Sequence, residues 1–405
     1  MTFDSSVPAV QAAASHWLLP CLCTGAFLVF AQTFMVAPLI PQLATLFHSP
    51  LDWVGLAIPA YIVPEAIATL AIGPLSDRIG RNRVILGSLG TFIILTAMTA
   101  TSTGVGAFIG WRIITGAAAA GIVPISLTLI GDVIPFTRRG KAVGYLFGSI
   151  AGGTATGAAV GALLEPLIGW RALFLVVAAL SALLFAIMIV VRVLPRHVRA
   201  ATVAPWSAVA RGYGRLLRLA RAQRTYGYVL LNAILQSGLF TWLGVYLHER
   251  FGLSETGIGL MLIGYGVPGM LFGPIIGKLA DRYGRSIIVP SGVVLTGVCA
   301  LSLAAPLPLN GVRVAIILLS LGFDLTHPQL AAIATDLGGG RGQAVALMAF
   351  ALFCGFGVGS LLFQAALILG FRNAFIIFGI AAGIGASFAF QLFRNERPHH
   401  VGAAI

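Results

Sequence analysis

Long apolar runs recur throughout this 405-residue chain, each near the ~20 residues that carry a helix across a bilayer. In lipid the backbone must satisfy its own hydrogen bonds, so only helices or a closed barrel can span. A barrel needs short alternating strands, whereas these runs are continuous. With 58% of residues hydrophobic and 9% charged, a soluble fold would expose far too much apolar surface. The runs predict an all-α membrane protein of twelve transmembrane helices. They lie roughly at 16–40, 51–74, 83–104, 108–131, 142–164, 169–193, 226–248, 255–278, 286–306, 312–335, 343–368 and 371–393.

One densely charged segment occurs twice. Gly73-Pro-Leu-Ser-Asp77-Arg78-Ile-Gly80-Arg81 is echoed 204 residues later by Gly277-Lys-Leu-Ala-Asp281-Arg282-Tyr-Gly284-Arg285. Charges are costly in hydrocarbon, so both copies belong at a membrane face. The echo extends upstream, where Tyr61-Ile-Val63-Pro64 matches Tyr265-Gly-Val267-Pro268, and ten of 22 positions agree across 61–82 and 265–286. It continues with small slips: Arg139-Gly140 answers Arg341-Gly342, and Gly169-Trp-Arg171 answers Gly370-Phe-Arg372. The chain therefore reads as two pseudo-symmetric six-helix bundles, 1–195 and 226–405, joined by a basic linker, 196–225.

The net charge of +13 raises the possibility of nucleic acid, but the positions of the charges argue against it. With both termini cytoplasmic, 20 of the 25 Lys and Arg fall in cytoplasmic loops or the tail, the exceptions being Arg112, Arg171, Arg250, Arg313 and Arg372. This is the positive-inside pattern. Arg211, Arg215 and Arg218, with Leu216, Leu217 and Leu219, suit a helix lying on an anionic leaflet. Residues 1–15 lack the basic start of a signal peptide, so the first span is expected to be retained. Cys21, Cys23, Cys299 and Cys354 fall within predicted spans and read as small apolar residues rather than a disulfide or metal set.

The chain resembles the major facilitator superfamily along essentially its whole length, and the repeated Gly-x-Leu-x-Asp-Arg-x-Gly-Arg loop is similar to that superfamily's most specific signature. Within it the chain looks most like the twelve-span drug–proton antiporters. Pro38-Leu-Ile-Pro41 is similar to their Pro-x-x-Pro element, and Arg112-Ile-Ile-Thr-Gly116 to their Arg-x-x-Gln-Gly element. In span 5, Gly153 stands where their antiporter element has proline. The resemblance implies two bundles around a central cavity that opens alternately to each side. It also suggests a part for Arg112 in proton movement, although its position near the outer boundary of a straight helix equally suits snorkelling to the interface.

Candidate residues follow from depth and type. Gly73, Asp77, Arg78, Gly80 and Arg81, with Gly277, Asp281, Arg282, Gly284 and Arg285, form a candidate conformational latch, or alternatively only set topology. The glycines at 73 and 277 suit close helix packing, and the aspartates suit backbone amides at a helix N-terminus. Glu65 and Asp324 each stand twelve residues before an aspartate at an inner helix end, Asp77 and Asp336. At 1.5 Å per residue this places both about 18 Å deep, near mid-membrane and in opposite halves. They are candidate proton-coupling or substrate groups, or else neutral hydrogen-bonded carboxyls. His327, three residues after Asp324, shares its face. Gln32, Tyr61, Asn232, Gln236, Trp242 and Tyr265 are candidates for a cavity wall, with Trp242 and Phe240 placed to stack on a ligand. Glycines crowd spans 5 and 11 and suit close contact where the halves meet.

The expected function is a secondary transporter, a proton-coupled exporter of small amphipathic or cationic compounds. The alternatives are proton-coupled uptake or exchange of a sugar-like or organic-acid metabolite, and, from another class, a non-transporting membrane sensor. No enzymatic constellation, cofactor or metal is expected. The expected partners are a small-molecule substrate, protons and membrane lipid, without nucleic acid, for a monomer in a bacterial inner membrane.

Overall fold

A computed structural model describes residues 16–134, 136–195, 206–337 and 341–396. Residues 1–15, the start of the linker and the last residues of the tail lie outside the described residues. The side chains of Gly277 and Asp281 lie outside them too.

Among the described residues every regular element is helical. Ten stretches are long and apolar enough to cross a bilayer. One of these, Gly144–Val190, has 47 residues, about 70 Å of helix and more than twice the hydrocarbon thickness. It is two spans meeting at Gly169, where φ is 78°. A further span is cut into Glu255–Leu262, Ile263–Gly266 and Val267–Tyr283. Counting the double stretch twice and the broken span once gives the expected twelve.

The other spans, in order, run as follows. Span 1 is Leu18–Phe34 continued by Ile40–Leu46, span 2 Leu51–Gly55 and Pro59–Ile79, and span 3 Arg81–Thr99. Span 4 is Val105–Ala119 and Val123–Val133, and spans 5 and 6 share Phe136–Val190. Span 7 is Ala220–Thr241 and Leu243–Phe251, beginning inside the predicted linker, and the three pieces from Glu255 make span 8. Spans 9 to 12 are Arg285–Leu303, Leu309–Thr335, Arg341–Ala366 and Phe371–Leu392.

The repeat reaches the backbone dihedrals. Gly80 and Gly284 have φ of 98° and 83° and separate span 2 from 3 and span 8 from 9. Gly169 and Gly370, with φ of 78° and 83°, do the same between the last two spans of each half. A side chain is strained at such φ, which accounts for glycine in both signature copies.

Tertiary packing corrects one expectation about glycine and part of another. A Cβ on Gly73 would meet nothing within 4 Å, so close packing is not its role. In span 5, side chains at Gly153, Gly157 and Gly161 would strike the backbone of Phe27, Ala31 and Met35 in span 1. In span 11, Gly355 and Gly359 press likewise on Leu230 and Ile234 of span 7. These contacts lie inside each bundle, whereas a Cβ on Gly357 of span 11 would come within 2.3 Å of Val63 in span 2, so that glycine does serve the meeting of the halves. The halves also approach through glycines of spans 2, 7 and 8. A Cβ at Gly55 would come within 2.7 Å of Trp242, one at Gly244 within 2.9 Å of Pro38, and one at Gly259 within 2.8 Å of the Ala159 carbonyl. Gln364 also donates to the Asp52 carbonyl at 2.9 Å. All of these contacts lie toward the face opposite the signature loops.

The basic helix forms, over Trp206–Arg218; of the three leucines singled out, Leu216 is buried against the protein while Leu217 and Leu219 stay exposed. Val209, Gly212 and Leu216, one helical stripe, are buried, while Arg211, Arg215 and Arg218 are exposed. Tyr213 donates to the Leu70 carbonyl of span 2 at 3.4 Å, and Gln343 of span 11 reaches the Val209 carbonyl at 3.5 Å. The helix therefore straps the two halves on the signature-loop side.

Candidate functional site

The site begins at breaks in spans 1 and 2. Helix Leu18–Phe34 stops ahead of Pro38, leaving its last carbonyls without helical partners. In span 2 the amide of Tyr61 bonds Ile58 rather than Ala57, which frees the Ala57 carbonyl. Arg112, fully buried on span 4, collects these orphans. Its Nε donates to Ala57 at 2.9 Å and its Nη2 to Thr33 at 3.0 Å. Its Nη1 reaches the Gln32 carbonyl at 3.3 Å and Gln32 Oε1 at 2.9 Å. The guanidinium lies 4.4 Å from the ring centre of Tyr61. Snorkelling to the interface is therefore ruled out. Gln32 and Tyr61, expected on a cavity wall, serve largely to hold this cation.

One turn beyond Tyr61 on span 2 is Glu65, 2% exposed, with Oε1 unpartnered among the described residues. It lies in the electrostatic reach of Arg112 without an ion pair between them among the described contacts. Asp324, 8% exposed on span 10, accepts a hydrogen bond from Ser320 at 3.2 Å. Its oxygens lie 2.8 and 2.9 Å from where a Cβ on Gly269 would be. Neither acid pairs with a cation among the described residues, so each buried carboxyl can gain or lose a proton without breaking a salt bridge.

His327 lies between two rings. Phe323 stacks on it at 5.1 Å and Phe147 of span 5 meets it edge-on at 5.3 Å; both ring nitrogens lack partners among the described residues. The rings continue from Phe323 to Phe356 (6.1 Å), Phe34 (6.2 Å), Phe240 (5.7 Å) and Tyr265 (4.1 Å). This aromatic run draws on spans 5, 10, 11, 1, 7 and 8 and crosses between the halves three times. Asp324 is set within it, between Phe323 and His327 in sequence. Asn232 and Gln236 are buried on span 7, and the Asn232 amide nitrogen and Tyr265 hydroxyl lack partners among the described residues.

Trp242 departs from expectation. It is fully buried, its indole nitrogen donates to the Ser360 carbonyl at 3.1 Å, and its ring packs on Gly55 of the other half. It joins the halves rather than offering a face to a ligand. The Phe34, Phe147, Phe323 and Phe356 rings were not singled out from sequence. Only the four-residue spacing of Phe323 and His327 hints at their stacking.

In the signature loop, Asp77 at the end of span 2 pairs across the Gly80 turn with Arg81, the first residue of span 3, at 3.4 Å, in place of the expected backbone amides. Arg81 Nε also meets Asp132, at the inner end of span 4, at 2.6 Å. The repeat copy, Arg285 to Asp336, spans 3.6 Å. Gly80 and Gly284 are the turns described above, and the Arg282 guanidinium lies 5.4 Å from the Tyr283 ring centre. Arg78 also has a partner.

A pair of six-span bundles, with titratable groups buried between them and ion pairs at one face, defines a multi-pass membrane protein of the transporter class. The profile of the Major Facilitator Superfamily matches residues 22–339 and, again, 231–404, and the chain belongs to that superfamily of transporters. The MFS-type transporter YwfA of Bacillus subtilis (strain 168), itself uncharacterized, is 27% identical over 67% of this chain and 66% of its own length. A chloramphenicol resistance protein of Streptomyces lividans is 25% identical over 81% of this chain and 83% of its own. The crystal structure of the human organic anion transporter MFSD10 shares the fold, with a TM-score of 0.73 at 19% identity, covering 93% of this chain and 98% of that one.

Proposed function

We propose that this transporter exports small amphipathic or cationic compounds in exchange for protons, by alternating access. The observation that carries this reading is one buried carboxyl in each half, Glu65 and Asp324, each without a cationic partner among the described residues and near aromatic rings. The one buried guanidinium among the described residues, Arg112, already donates to four carbonyl oxygens. A carboxylate among aromatic faces attracts an organic cation, and a proton competes for the same oxygens. The likeness to a protein named for chloramphenicol resistance supports export.

Alternating access requires the contacts at Gly55, Gly244 and Gly259 to part on one face, while the ion pairs of Arg81 and Arg285 rearrange on the other. The positive-inside pattern supports a cytoplasmic side for the signature loops and both termini, in what we take to be a bacterial inner membrane. The test is transport of ethidium into or out of proteoliposomes under an imposed pH gradient. Wild type should move ethidium against proton flow, and Glu65→Gln and Asp324→Asn should each abolish the dependence on the gradient. Gradient-driven accumulation of sugars or organic acids instead, or unchanged coupling in both variants, overturns this reading.

A further inference from the structure

Spans 2 and 4 run in the same direction and touch in a constant register. Arg112 Nε meets the carbonyl of Ala57, 55 residues earlier. A Cβ on Gly116 would overlap the carbonyl of Tyr61, again 55 residues earlier. One further turn in that register sets Ala120 beside Glu65. Spans 8 and 10 keep the same register, because the Asp324 carboxyl covers Gly269, also 55 residues earlier.

The repeat offset of 204 now becomes informative. It carries Glu65 to Gly269 and Ala120 to Asp324. Each half thus holds one carboxyl, in the same row of the same helix pair, hung from opposite helices. The facing position is small in both cases. Ala120 is buried opposite Glu65, and Gly269 leaves the space that Asp324 fills.

We propose that Glu65 and Asp324 are pseudo-symmetry-equivalent carboxyl half-sites, one per bundle, and that Gly269 is the positioning residue that assigns the second carboxyl to span 10. The proposal rests on the reading of these acids as protonatable groups given above. A side chain on Gly269 would occupy the Asp324 oxygens' place, so the row has room for one carboxyl and not two. The two half-sites differ in that Arg112 lies within electrostatic reach of Glu65 alone, and in their hydrogen bonds. Asp324 has a hydroxyl donor in Ser320, whose repeat counterpart is Gly116, and Glu65 keeps an unpartnered oxygen. The half-sites are alike in place and unlike in hydrogen bonding, which leaves Glu65, beside the Arg112 charge, with the freer oxygen of the two.

Relocation tests this. Asp324→Ala with Gly269→Glu copies the first half's arrangement into the second. Glu65→Gly with Ala120→Asp makes the reverse copy. The probe is dicyclohexylcarbodiimide, which adds whole to protonated carboxyls in apolar surroundings, with adducts on the full purified chain mapped by peptide mass spectrometry. Wild type should label at Glu65 and Asp324. Asp324→Ala should lose about half of that labelling, and the relocated chain should regain it at position 269. Ethidium transport, lowered roughly tenfold or more in Asp324→Ala, should recover to within about threefold of wild type in the relocated chain. Gly269→Glu alone should not restore anything and should lower the melting temperature. Folded relocated chains that stay unlabelled at the new position, or that label without recovering ethidium transport, overturn the proposal. So does collapse of both relocated chains where Asp324→Ala stays folded. Wild type that labels as expected but moves no ethidium against protons sinks the export reading alone and leaves the equivalence of the half-sites standing.

Discussion

Arg112 donates twice to Gln32, to its side-chain oxygen at 2.9 Å and to its carbonyl at 3.3 Å. With Thr33 and Ala57 also bound, the guanidinium closes the breaks in spans 1 and 2. Arg112→Ala leaves buried carbonyls unpaired and should cost on the order of 3 kcal/mol. Arg112→Lys keeps the charge but loses the planar fork and should cost about half as much. Thermal melting in detergent decides. A proton-relay role predicts the opposite pattern, unchanged melting with pH coupling lost.

The signature ion pairs are unequal. Arg81 and Asp132 meet at 2.6 Å with Arg81 12% exposed, whereas Arg285 and Asp336 lie at 3.6 Å with 32% and 57% exposure. Asp132→Asn should destabilise by about 1 kcal/mol and Asp336→Asn by a few tenths at most. Labelling of single cysteines on each face should show Asp132→Asn, and not Asp336→Asn, shifting the balance between facing states. Equal shifts would refute the asymmetry.

The glycines make a sharp contrast. Gly157→Ala drives a methyl into the Ala31 backbone and should cost about 1–3 kcal/mol. Gly73→Ala sits in open space within a helix and should be neutral or stabilising by up to about 1 kcal/mol. Melting temperatures of the two proteins check both. A destabilised Gly73→Ala would indicate a contact made only in another facing state.

A clasp at the end of span 12 predicts a pH dependence. Arg221 grips Glu396 bidentately at 2.8 and 2.9 Å, Arg224 bonds the same carboxylate, and the Glu396 carbonyl accepts from the Ser286 amide at 3.3 Å. The Arg221 hydrogen bonds hold the Glu396 carboxyl below the usual glutamate range. A lowered native value means that the clasp contributes fully above the ordinary value near ~4.3 and fades as pH falls through the native one. Glu396→Gln should lower stability at neutral pH by on the order of 1 kcal/mol, and the difference from wild type should vanish in acid. Melting measured from neutral pH down to about pH 3 checks it. A gap that persists in acid would mean that packing, not charge, holds the tail.

Much of the architecture was legible because it is written locally. Span positions follow from runs of apolar residues, and the repeat from direct matching of Tyr61–Asn82 with Tyr265–Ser286. The depths of Glu65 and Asp324 follow from helix rise alone. What misled was the partner of each residue. Gly153 and Gly157 announce a close approach without naming span 1 as the neighbour. Trp242 announces an aromatic surface without saying that Gly55 covers it. Glu396 and Arg221 are 175 residues apart, and nothing near either signals the other.

By itself, then, the sequence determined a twelve-span, twice-built membrane protein with two acids at equal depth, because hydrophobic length and charge cost act residue by residue. Only the tertiary structure decided that Arg112 is spent on carbonyls, that Gly153, Gly157, Gly355 and Gly359 press on helices of their own bundle, and that Asp324 fills the place left by Gly269. Those outcomes depend on which helices pack together and in what register, and register is a property of pairs of helices that no single stretch of chain contains.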